Sequence, residues 1–152
     1  MKKLVIANRG AGFIGKSASI KEVYYSMLKA GYPLLEKKWQ WEEFVGDIRA
    51  IFLVDGVKVG VESMGDPGGE MESSMEYFVD YGCEIIVTAC RTKSDTYRKV
   101  TDYLGEDNSF DVLWCSHSSY PNPRNKNTHD LLNTRYAEHV VWLIESRVNG
   151  SI

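Results

Sequence analysis

Eight consecutive residues near the start of the chain, Gly10-Ala11-Gly12-Phe13-Ile14-Gly15-Lys16-Ser17, satisfy the pattern G-x-x-x-x-G-K-[ST] at every fixed position. That spacing suits one kind of chemistry, the capture of phosphate groups. Glycines let the backbone turn tightly and point successive N–H groups inward, and a helix starting there adds its positive end. A lysine closing such a turn reaches β- and γ-phosphates, and the hydroxyl after it can hold Mg²⁺. Ordinary residue frequencies produce the pattern in roughly half a per cent of chains of this length, so the elements around it decide how it is read.

Those elements have the required order. Leu4 to Ala7 form a short apolar run that reads as a buried strand entering the glycine-rich turn. From Ser17 to Ala30, Ile20, Val23, Tyr24, Met27 and Leu28 recur at helical spacing, and Gly31 with Pro33 supplies a stop. Residues 32–47 hold Trp39, Trp41 and Phe44 among many charges with no clean period, and read as a loop with a short helix. Asp55-Gly56 lies between two β-rich runs at 48–54 and 57–63, which predicts an antiparallel hairpin. Helices are expected over 70–80 and 94–104, and from residue 127 or 128 onward. The intervening apolar runs Cys83 to Cys90 and Phe110 to Cys115 read as strands. The alternation predicts an α/β fold with a mostly parallel five-stranded sheet, one antiparallel hairpin strand at its edge, and helices on both faces.

Composition narrows the class. The chain has 152 residues, 43% of them hydrophobic, enough for one domain over 1–152 with a sizeable core. Its 18 basic and 21 acidic residues carry no long run of one sign, which argues against a nucleic-acid or membrane-surface role. The opening apolar run is too short for a signal peptide and no segment is long enough to span a membrane, so a cytoplasmic protein is expected. Cys83, Cys90 and Cys115 form no Cys-x-x-Cys pair and read as buried reduced thiols. His129 and His139 are ten apart and lack the i, i+4 spacing of a helical metal pair.

The octapeptide in its strand-turn-helix setting resembles the P-loop NTPase superfamily. The resemblance implies a three-layer P-loop NTPase-like fold, with the backbone from Gly12 to Ser17 wrapping the phosphates and Ala18 approaching the α-phosphate. It also implies a second acid that organises the metal. Asp66 is the first candidate, in a turn with Gly65, Gly68 and Gly69. Glu62 is the second, since Glu62-Ser63-Met64-Gly65 loosely resembles the D-x-x-G of GTPases. Arg91 directly follows the buried strand CEIIVTAC and could neutralise charge on a transferring phosphoryl group, with Lys93 and Arg98 extending the patch. Thr92-Lys93-Ser94-Asp95 resembles a guanine-reading element, but residues 32–47 lack a threonine or serine to sense a γ-phosphate. His117 sits in a loop that could border the base. Trp39 and Trp41 could cover a ligand, but packing on the core is the expectation.

The expectation is binding of a nucleoside triphosphate, ATP before GTP, with Mg²⁺ held by Ser17 and Asp66. Lys16 and Arg91 would assist hydrolysis or γ-phosphoryl transfer to a small acceptor. Two other readings share the motif: a nucleotide-gated switch that binds a protein partner, and a phosphate-binding domain without catalysis.

Overall fold

The first apolar run forms strand β1 (Lys3–Arg9), in which every residue from Leu4 to Asn8 is buried. The computed structural model describes residues 1–9, 16–43, 45–64, 70–90, 95–102, 110–116 and 126–152, without the side chains of 16, 70–73, 95–97 and 99. The order continues with α1 (Lys16–Lys29), β2 (Leu34–Trp39), β3 (Ile48–Val54), β4 (Val57–Glu62) and α2 (Glu70–Tyr81). It ends with β5 (Ile85–Cys90), α3 (Asp95–Asp102), β6 (Phe110–Cys115) and α4 (Lys126–Val148).

The strands form one six-stranded mixed sheet in the order β2-β3-β4-β5-β1-β6. β3 runs antiparallel to β2 and β4, and the remaining three pairings are parallel. The strand missing from the expected five is β2, within the stretch read as a loop. Its residues Leu35 to Lys38 are exposed on both sides of the strand, so no alternation of apolar and polar residues marks it. With β2 outside it, β3 is an interior strand rather than the edge that the sequence suggested.

Alternation along β1 divides the core in two. Leu4 and Ile6 face a cluster that includes Ile20, Val23, Tyr24 and Met27 of α1 and Ala137, Val140 and Ile144 of α4. Val5 and Ala7 face the other way, into a cluster with Met75 and Phe78 of α2 and Val100 of α3. The buried α1 residues follow the i, i+3, i+4, i+7 rule for one helix face. The helix stops where the sequence predicts: Gly31, at φ +83°, donates its N–H to Leu28 O at 3.0 Å, and Tyr32 N–H reaches Met27 O at 3.3 Å. No helix among the described residues is long and apolar enough to cross a membrane.

The hairpin turn uses Asp55 at φ +46° and Gly56 at φ +85°, the left-handed pair that matches the twist of the strands it joins. Further along β4, Gly60 has a different reason to be glycine. A Cβ there would stand 2.6 Å from Phe78 Cδ1, so α2 packs directly on the bare backbone of β4. Replacing Gly60 by alanine is expected to cost about 1–3 kcal/mol through overpacking, measured by urea unfolding. Combining it with Phe78→Leu should recover part of that loss, and full additivity of the two changes would refute the direct contact.

Candidate functional site

Because β1, β4, β5 and β6 run in one direction, their last residues, Arg9, Glu62, Cys90 and Cys115, lie along the same edge of the sheet. Open α/β sheets place ligands beyond this carboxyl edge. Gly10 is the residue after β1, and Lys16 opens α1, so the octapeptide spans the connection from β1 to α1. Gly10 to Gly15, Asp66, Arg91 to Ser94 and His117 lie outside the described residues. Ser17, partly buried, and Ala18, exposed, are in the first turn of α1.

Ser17 makes the contact that joins this helix to the sheet edge. Its hydroxyl donates to the backbone carbonyl of Ser63 at 3.0 Å, just past the end of β4. Ser63 is itself fully buried and fully used. Its hydroxyl donates to Asp47 Oδ1 at 2.8 Å and accepts the N–H of Ile48 at 2.9 Å, while its own N–H donates to Ile48 O at 3.0 Å. One turn along α1, Lys21 Nζ donates to Gly46 O at 3.3 Å. Gly46 is thereby tied to α1 directly, and Asp47 is tied to it through Ser63. Between β1 and α1, Asn8 Nδ2 donates to Ser19 Oγ at 2.8 Å with both groups buried.

Glu62 is the described acid of the predicted set, and it points to the other side of the sheet, toward α2. It is 1% exposed, with Oε1 accepting the N–H of Met64 at 2.7 Å. Ser74 of α2 is near enough to favour the charged form, yet neither Ser74 Oγ nor Glu62 Oε2 completes a hydrogen bond of good geometry. Desolvation dominates and raises the carboxyl from its ordinary value to about 7, against the opposing effects of Ser74, Met64 N–H and Arg49. Arg49 is directly across from Glu62 on β3, with its guanidinium 4.3 Å from the centre of the Tyr77 ring. The strand carrying Glu62 is not adjacent to β1, because β5 lies between them.

The aromatic expectation divides. Trp39 is buried, edge-on to Tyr24 at 5.6 Å, as core packing requires. Trp41 is 73% exposed instead; it lies two residues past the end of β2, in the connection to β3. Cys83 and Cys90 are buried and Cys115 is half-buried; burial pushes the Cys83 thiol up to about 12. Asp47, Ser63 and Asn8 escaped the sequence reading. A polar residue such as Asn8 inside an otherwise apolar strand was the available signal, whereas the Ser63 bonds join residues 15 to 46 positions apart and leave no local pattern.

The state of Glu62 makes stability depend on pH. A carboxyl that stays protonated longer in the folded chain stabilises it below the ordinary glutamate value of 4.5, and that contribution is lost as pH rises toward 7. Glu62→Gln should therefore be more stable than wild type at pH 8, by about 3 kcal/mol at most, with the difference shrinking below pH 5. Urea unfolding at the two pH values checks this, and a difference independent of pH would refute it. No protein-family model matches the chain, and no match was found among curated proteins or among solved structures.

Proposed function

We propose that the chain binds a nucleoside triphosphate, ATP ahead of GTP, together with Mg²⁺ at the Gly10–Ser17 loop of a P-loop NTPase-like fold. It then hydrolyses the nucleotide or passes its γ-phosphoryl group to a small acceptor. The observation that carries this reading is the Ser17 hydroxyl. Because it donates its proton to Ser63 O, this bond leaves the oxygen lone pairs uncommitted, which is the state a hydroxyl needs to face a cation.

Among the described residues no three His, Cys, Asp or Glu side chains gather as a self-sufficient metal site. Mg²⁺ does not need one, since it takes one or two protein oxygens and completes its shell with water and phosphate. In this reading Ser17 and Asp66 hold the ion, and Lys16 stabilises the β- and γ-phosphates. The backbone N–H groups from Gly10 to Ala18 cradle the phosphates, and Arg91, which follows Cys90 in the sequence, neutralises charge in the transition state.

Thermal unfolding with ATP, GTP and other triphosphates, with and without Mg²⁺, tests the proposal. At a ligand concentration of 100 Kd the folded state gains about 2.7 kcal/mol, a rise in Tm on the order of 5–10 °C for a chain of this size. Lys16→Ala should remove most of the rise, and Ser17→Ala should remove the part that requires Mg²⁺. If no triphosphate moves the wild-type transition, or if Lys16→Ala responds as wild type does, the reading fails.

A further inference from the structure

On the layer formed by α1 and α4 the two helices leave a cleft of about 530 Å³ open to solvent. Its apolar lining comes from Tyr25, Val141 and Trp142, and two of these stay accessible, Tyr25 at 37% and Trp142 at 54%. Leu131, 55% exposed, lies on the same face of α4 as Glu138, Trp142 and Glu145. Three carboxylates, Glu22, Glu138 and Glu145, line the cleft against a single lysine, Lys29. Glu138 pairs with Arg135 at 2.9 Å, but both side chains are more than half exposed, where such a pair is weak and exchangeable. Glu22 has no ion-pair partner among the described residues.

We propose that this cleft docks an amphipathic helix from a protein partner, with lysines or arginines beside its apolar stripe. The wall from Thr134 to Glu145 is about 16 Å long, the reach of roughly three helical turns. Leucine-like side chains fit the floor between Tyr25 and Trp142, and flanking cations meet the glutamates. Charge selects this occupant over a second copy of the chain. The molecule carries a formal net charge of -3, so self-association through this face would oppose like-charged walls. The inference does not depend on phosphate binding.

The test uses a synthetic helix of leucine and lysine and its leucine–glutamate counterpart, titrated calorimetrically into the full chain. The lysine peptide should bind and weaken with added salt, and the glutamate peptide should not bind. Trp142→Ala should weaken binding about tenfold or more, and the double variant Glu22→Gln/Glu138→Gln severalfold. The distant double variant Glu76→Gln/Asp80→Asn, on exposed positions of α2, should bind as wild type does. Absence of binding, equal binding by all variants, or binding of the glutamate peptide overturns the proposal. So does self-association in sedimentation that Trp142→Ala abolishes, which would assign the face to a second copy.

Discussion

Helices cover both faces of β1 and β5, so the side chains from Leu4 to Asn8 and from Ile85 to Cys90 are buried between them. Burying a polar group there costs free energy unless it finds a hydrogen-bond partner. The buried polar residues of these strands and of β4 accordingly lie in the second half of each: Asn8 on β1, Thr88 on β5 and Glu62 on β4. The carboxyl edge concentrates reactive groups because the rest of the sheet excludes them. A carboxyl enclosed at that edge, such as Glu62, titrates near neutrality for the same reason.

The hairpin has a larger part in this edge than its lateral place in the sheet suggests. β3 and β4 meet Ser63 at their open end, and Ser63 serves four partners with its backbone and hydroxyl: Ser17, Asp47 and both main-chain groups of Ile48. The start of α1 is thus positioned by β4 as well as by β1, the strand that leads into it. The antiparallel pair supplies rigidity from hydrogen bonds local in sequence. The parallel strands supply the shared edge. A phosphate-sized ligand at the β1-to-α1 connection would meet a helix end held from two directions.

How much of this the sequence disclosed depends on the range of the interactions concerned. Elements with a strong local period or a specific turn residue were legible to within a few residues: α1 with its Gly31 stop, the Asp55-Gly56 hairpin, and β6 from Phe110 to Cys115. β2 was illegible because neither of its faces is covered along most of its length, and period-two patterning records coverage rather than strand geometry. Trp39 and Trp41 are two residues apart and of one type, yet only the first reaches Tyr24, a distinction made by tertiary packing. The octapeptide was conspicuous from its spacing, while the Ser63 junction became visible only when residues distant in the chain were brought together.

The same uncovered character of β2 has a consequence for how molecules meet one another. A sheet exposes unpaired backbone groups at its outermost strands, and an apolar outermost strand invites another chain to add to it. Here β2 presents Glu36, Lys37 and Lys38 to solvent, with Lys37 joined to Glu43 at 2.6 Å. At the opposite margin, Asp111 of β6 is held by Lys2 at 2.6 Å and Arg147 at 2.7 Å. An incoming strand would have to displace ion pairs or bring hydrocarbon against solvated charges on either side. Charged side chains at both margins of the sheet thus disfavour its growth from molecule to molecule.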